Sequence, residues 1–479
     1  MSPVIVGSIV FGYFLVLITI SWLTSRNSSD GDFYNANRQS PWYLVAFGMI
    51  GASLSGVTFI SVPGEVGNSN FYYFQVVLGY LVGYWVIAKL LLPLYYKLNL
   101  VSIYTYLEQR FGFWSYKSGA FFFLLSRIIG SSFRLFLVAG VLQISFFDAF
   151  DLPFWVSVLV TIVLIWVYTF RGGIKTIVWT DSLQTAFMLA AVVISIFFIK
   201  DELNWTWSEL TTNVTSDPRF TMFNWDWQSG KNFFKQFISG AFIAIVMTGL
   251  DQDMMQKNLT CRTLSDAQKN VFWFCIILVI ANFLFLSLGL LQFQFAEHIG
   301  MVIPERTDYL FPELAINHFP TIGAVIFLLG ITAAAYSSAD SALTAMTTSF
   351  CVDFLGFTPA NYHEKKTIRK IVHLAFSLVL FIVILVFQAI NDQSVITAVF
   401  VAAGYTYGPL LGMFALGMFT KTNVKDHLVP VVTILSPILS YIININSVAW
   451  FGGYKFGFEI LILNGALTFI GLLLIRKKN

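Results

Sequence analysis

The stretch IGASLSGVTFISVPGE (residues 50–65) interrupts a long apolar run with residues that a plain lipid-facing helix does not use. Gly51, Ala52, Ser53, Ser55, Gly56 and Thr58 crowd together where the surrounding sequence is most hydrophobic. Small residues of this kind let two helices pack closely. They also suit a helix that unwinds locally and turns its carbonyls toward a cavity, as secondary transporters do at the bilayer midplane. The second reading requires a membrane around the stretch, and the rest of the chain supplies one.

The 479 residues are 57% hydrophobic and only 11% charged, with 50 phenylalanines, and the mean hydropathy is +0.75. An average soluble domain is about 25% charged. This much apolar surface cannot be hidden inside a water-soluble core, so the main solvent is lipid. Secreted enzymes, nucleic-acid binders and disordered regulators are excluded. The net charge of +3 points to no polyanionic partner. Cys261, Cys275 and Cys351 are too dispersed for a disulfide framework or a metal site and read as packing residues.

A crossing helix needs about 20 mostly apolar residues. That measure yields thirteen windows: 3–24, 42–62, 71–94, 118–147, 153–169, 174–199, 233–250, 271–293, 321–350, 371–390, 395–419, 428–445 and 458–475. The expected fold is an all-α polytopic membrane protein with one transmembrane domain over 1–479. With the N-terminus outside, 19 of the 28 basic residues fall in cytoplasmic loops and six on the opposite side. That asymmetry obeys the positive-inside rule and places the C-terminus in the cytoplasm. Lys89, Arg127 and Arg134 remain within the windows.

Three further stretches carry polar chemistry. In TAAAYSSADSALTAMTTSF (332–350), Ser337, Asp340, Ser341 and Thr344 recur at i, i+3, i+4 and i+7, one face of a helix. Oxygen-only ligands on one face suit a hard cation, and a carboxylate in hydrocarbon marks a functional position unless it is paired. In GGIKTIVWTDSLQ (172–184), Gly172 and Gly173 open a helix that carries Asp181 about two turns inside, as a cation ligand or as a salt-bridge partner. Arg127 and Arg134 lie seven residues apart on one face. A guanidinium cannot shed its proton, so each must find carbonyls, water or an anion. For Arg134, in SSFRLFLVAG (131–140), the candidate anion is either a solute carboxylate or a buried acid such as Asp181 or Asp340.

Four pieces in register resemble the sodium/solute symporter family, nearest to its bacterial sialic acid members: GGIKTIVWTDSLQ, TGLDQDMMQKNLTCRTLSDAQKN (248–270), AAYSSADSALTA (334–345) and GYTYGPLLGMFALGMF (404–419). Lys257 stands where Arg is usual. The resemblance implies a LeuT-like core of two inverted five-helix repeats, 42–199 and 233–419, with an extra helix at 3–24 and two at 428–475. It implies a sodium ion held by the carbonyls of Gly51, Leu54 and Ala334 and the hydroxyls of Ser337 and Ser338. It also implies a second sodium, present in some members, at positions matching Asp181, Ser337, Asp340 and Ser341, where Asp340 replaces a serine. The implied solute lining is Ser53, Ser55, Thr58, Phe71, Gln75 and Arg134.

The expected function is therefore sodium-coupled symport of a small polar solute, with a sugar acid such as sialic acid favoured by the hydroxyl donors and the single guanidinium. A neutral sugar, a monocarboxylate, an amino acid or an inorganic anion remains compatible with the residues. The expected partners are this solute and the bilayer, with no nucleic acid, no obligate protein partner and no need for more than a monomer; the expected location is a bacterial inner membrane. A channel would need a filter motif or charge ring. An enzyme would need a catalytic constellation, and the five histidines (His298, His318, His363, His373, His427) are scattered without ligand spacing.

Overall fold

The computed structural model describes residues 3–25, 40–100, 102–169, 174–357, 365–390 and 394–477. Helix dominates, and no named strand forms among the described residues. The chain order is α1 (Pro3–Ser25), α2 (Trp42–Ser53), α3 (Gly56–Ser69), α4 (Tyr73–Val86), α5 (Leu92–Leu98), α6 (Thr105–Arg110), α7 (Phe113–Leu142), α8 (Phe154–Thr169) and α9 (Ile174–Glu202). The second half continues with α10 (Trp207–Ser216), α11 (Phe233–Ala244), α12 (Gln252–Asn258), α13 (Leu264–His298), α14 (Leu310–Asn317) and α15 (Thr321–Ser349). The last five are α16 (Lys366–Ile390), α17 (Val395–Thr406), α18 (Gly408–Phe419), α19 (Val429–Trp450) and α20 (Ile460–Leu474). Gly172 and Gly173 lie outside the described residues.

Each of the thirteen sequence windows falls on a helix or a bent helix pair. Among the described residues, seven helical runs are long and apolar enough to cross a bilayer, or nine if each bent pair is one span; four shorter apolar helices accompany them. One run, Gly56–Leu98, has 43 residues. At 1.5 Å per residue that is about 65 Å, enough for two crossings of a core roughly 30 Å thick. A 3₁₀ turn over Asn70–Tyr72 divides it, with Asn70 at φ 52°.

The solvent for the outer helices is read from their exposed faces. On α19, Val431, Ile434, Leu435, Ile438 and Ile445 point outward; on α16, Ile371, Leu374, Leu378 and Ile382 do. Helices apolar on the outside are stable only where the outside is also apolar. Inside, α4 and α11 approach to backbone contact: a methyl added to Gly79 would meet the Phe237 carbonyl, and one added to Gly240 the Val76 carbonyl, each at 2.0 Å. The three cysteines are buried and unbridged.

Among the described residues, three breaks between consecutive helices lie inside this bundle, and lipid cannot satisfy the backbone groups that a break releases. α11 and α12 are bent by 71°, α17 and α18 by 47°. At the first bend, the Tyr95 hydroxyl donates to the Gly249 carbonyl (2.8 Å) and the Tyr104 hydroxyl to the Leu250 carbonyl (3.1 Å). At the second, the Asn464 amide donates to the carbonyls of Gly404 (3.0 Å) and Tyr405 (2.8 Å). The third break lies at Leu54–Ser55, between α2 and α3, within the stretch that opens this account.

Candidate functional site

The break between α2 and α3 differs from the other two. Among the described residues, no side chain donates to the carbonyls of Gly51, Ala52, Ser53 or Leu54. Helix ends leave such carbonyls without intrahelical partners, and here they stay available. α2 packs against α9 and α15, so the oxygen-rich face of α15 lies beside the break. Gly51 is the closest point: a methyl there would meet the Thr185 hydroxyl at 2.3 Å, the Asp181 carbonyl at 3.0 Å and the Ser337 hydroxyl at 3.2 Å. Thr185 clamps α9 to α2 by donating to the Phe47 carbonyl (3.0 Å).

Ser337, Ser338, Asp340 and Ser341 are all buried, as the shared face requires. The Ser337 hydroxyl donates to Asp181 Oδ1 (2.7 Å), which turns its lone pairs away from the carboxylate. Peptide carbonyls and serine hydroxyls are neutral, hard donors that fit a small monovalent cation. Gly51, Leu54, Ala334, Ser337 and Ser338 thus supply a chemically suitable donor set where α2 and α15 meet.

A cavity lies beside the same break. It is lined by Ser53, Ser55 and Thr58 from α2 and α3, by Ser126, Arg127 and Arg134 from α7, by Thr248 and Asn282, and by Tyr73, Tyr80, Tyr84 and Tyr407. The Tyr73 and Tyr80 hydroxyls pair at 3.2 Å, as do those of Tyr84 and Thr248. Tyr73 stacks on Phe400 with centroids 6.1 Å apart and planes 11° apart. Both rings also line a second cavity containing Glu65, Ser69 and Lys231, so they form the partition between the two.

The two arginines separate in role. Arg127 is buried and pairs with Asp251 and, at 3.1 Å, with Asp253. Asp251 also caps α12 through the Met254 amide (3.2 Å) and accepts from the Tyr407 hydroxyl (2.7 Å). Arg134 makes no ion pair among the described residues and keeps its charge toward the cavity. Asp181 is fully engaged: Lys257 Nζ lies 2.8 Å from its Oδ2 and 4.0 Å from Asp253.

Two expected solute contacts move elsewhere. Phe71 is buried against Phe220 (4.8 Å) and Phe283 (6.1 Å), not in the cavity. Gln75 accepts from the Asn224 amide (3.0 Å) and donates to the Lys231 carbonyl (3.1 Å), tying the segment before α11 onto α4. The cavity side of α4 belongs to Tyr73, Tyr80 and Tyr84, whose spacing of i, i+7 and i+11 places them on one stripe. The signal in the sequence is three tyrosines at helical spacing within one apolar run.

A donor set suited to a cation and a polar cavity meet at one broken helix, an arrangement that suits a secondary transporter. The sodium:solute symporter family model matches residues 33–426, and the chain belongs to that family. The sodium/sialic acid symporter NanT of Aliivibrio fischeri is 24% identical over 90% of this chain and 86% of its own length. The sodium/sialic acid symporter SiaT of Proteus mirabilis is 23% identical over 90% of this chain and 88% of its own. A solved structure of a Na⁺-coupled sialic acid symporter, substrate-bound and outward-open, superposes with a TM-score of 0.82 at 20% identity over 99% of both chains. The protein is a multi-pass membrane transporter, not an enzyme, and sodium is its coupling ion.

Proposed function

We propose that this chain imports a small acidic polyol of the sialic acid class, driven by sodium entering with it. The observation that carries the reading is Arg134, a guanidinium with no ion pair among the described residues, in a cavity where Ser53, Ser55, Thr58, Thr248, Asn282 and four tyrosines alternate with apolar residues such as Ile243 and Val399. A buried cation of this kind is best compensated by a carboxylate, and the surrounding donors match a polyhydroxylated skeleton. The curated relatives NanT and SiaT bear the same substrate in their names.

In this reading sodium binds first among Gly51, Leu54, Ala334, Ser337 and Ser338 and holds α2 and α3 against α15. Ser53, Ser55 and Thr58 sit on the same break, so that step also sets the solute donors. Each ligand then raises the affinity for the other by an equal factor. The Tyr73–Phe400 partition closes the outward side, with Lys231 and Glu65 in the outer vestibule. The N-terminus lies outside and the C-terminus in the cytoplasm of an inner membrane, and the 42–199 and 233–419 halves move as the two repeats. No protein partner is needed.

The test is uptake of labelled N-acetylneuraminic acid into proteoliposomes under an inward sodium gradient, with neutral sugars, short monocarboxylates and iodide as competitors. Acid uptake that only sialic acids compete for supports the assignment. Arg134→Ala should raise the KM for the acid by about tenfold or more, because a charged hydrogen bond is worth about 1.5–3 kcal/mol. Stronger competition by a neutral sugar, or an unchanged KM in Arg134→Ala, contradicts it.

A further inference from the structure

We infer that the Lys257 ammonium is a built-in cation that fills the position a second sodium would take, so the protein binds one sodium ion per chain. The inference rests on the symport reading above and deepens it by setting the ion count.

Asp181 lies two helical turns inside α9, is completely buried, and has both carboxylate oxygens in use. Oδ1 accepts from Ser337 at 2.7 Å and Oδ2 from Lys257 Nζ at 2.8 Å. Lys257 is itself 1% exposed along its side chain. Its location follows from the α11–α12 bend, which turns α12 inward and brings Asp253 and Lys257, i and i+4, to the end of α9. A lysine head is a compact point charge on a flexible stem, closer to a metal ion in charge distribution than a planar guanidinium is. Held between Asp181 and Asp253, it gives the buried carboxylate the counter-charge it requires. A mobile cation entering the same carboxylate would meet like charge at contact distance, in a region that screens poorly.

The Asp181 group then has a different task from that of an ion ligand. Anchored by Lys257, it accepts the Ser337 hydroxyl hydrogen bond and leaves the Ser337 lone pairs toward the Gly51 cradle. Lys257 and Asp181 are positioning residues for the single ion that remains. The alternative, a second ion shared by Asp181, Ser337, Asp340 and Ser341, requires the ammonium to leave.

Counting ions on the purified full-length protein tests this without knowledge of the solute. Saturation binding of ²²Na⁺ by scintillation proximity should give one ion per chain in the wild type and two in Lys257→Met. The double variant Lys257→Met with Asp181→Asn should return to one. With a monoanionic solute, wild-type uptake should be indifferent to an imposed potassium–valinomycin potential, whereas uptake by Lys257→Met should respond to it. Two sodium ions in the wild type would overturn the inference, and so would a folded Lys257→Met protein that still binds one. The wild-type count decides the matter even if the variants fail to fold. No sodium binding at all would remove the symport reading together with the inference, whereas two ions would leave symport intact.

Discussion

At the scale of single residues, the site divides labour between oxygens that carry no charge and charges that are nearly all spent on one another. Arg127, Asp251, Asp253, Lys257 and Asp181 form a buried series linked by ion pairs, and breaking any one leaves an uncompensated charge. The proposed cation cradle would rely instead on carbonyls and hydroxyls. Ser338→Ala removes one neutral donor without creating a buried charge. It should raise the half-saturating sodium concentration severalfold, about 1 kcal/mol by the usual worth of such a bond, with maximal uptake largely kept; sodium titration of uptake reads this directly. Gln75→Ala is a counter-test, because Gln75 braces the Asn224–Lys231 segment instead of touching solute. It should lower the melting temperature by a few degrees through an unsatisfied amide, while the solute KM stays within about twofold; a large KM change would return Gln75 to the cavity.

At the scale of elements, the sequence disclosed where helices run and where one of them fails. The small-residue cluster at 50–65 marks the α2/α3 break because glycine and serine weaken a helix locally wherever they sit. The Ser337–Asp340–Ser341 face was legible because a regular helix preserves its period. Phe71 and Gln75 misled for the opposite reason: Phe71 belongs to the Asn70–Tyr72 3₁₀ turn, where successive side chains rotate by about 120°, so i, i+4 spacing no longer means a common face. The Lys257–Asp181 pair was illegible because 76 residues and a 71° bend separate the partners. The break itself is testable at Gly51, where an added methyl would meet Thr185 Oγ1 at 2.3 Å and close on Ser337. Gly51→Ala should separate α2 from α9 and α15 and reduce sodium-dependent uptake by more than tenfold, with the folded protein still present as a monodisperse peak. Wild-type transport by this variant would mean that α2 is not held where the cradle needs it.

At the scale of the whole molecule, helices with apolar outer faces surround the cavity beside the α2/α3 break. The outer faces of α16 and α19 are dissolved in hydrocarbon, the Tyr73–Phe400 stack closes one end of the cavity, and the bent pairs α11/α12 and α17/α18 border it. Side chains donate to the Gly249, Leu250, Gly404 and Tyr405 carbonyls at those two bends, whereas among the described residues none donates to the carbonyls at the α2/α3 break, the place proposed for the ion. A sodium ion there contributes both its concentration gradient and, if net charge crosses, about 2.3 kcal/mol per charge per 100 mV. The most direct measurement compares solute accumulation in proteoliposomes under equal inward gradients of sodium, potassium and choline. The account predicts accumulation above equilibrium with sodium only, collapsing when the sodium gradient is dissipated; equal accumulation in choline would contradict it.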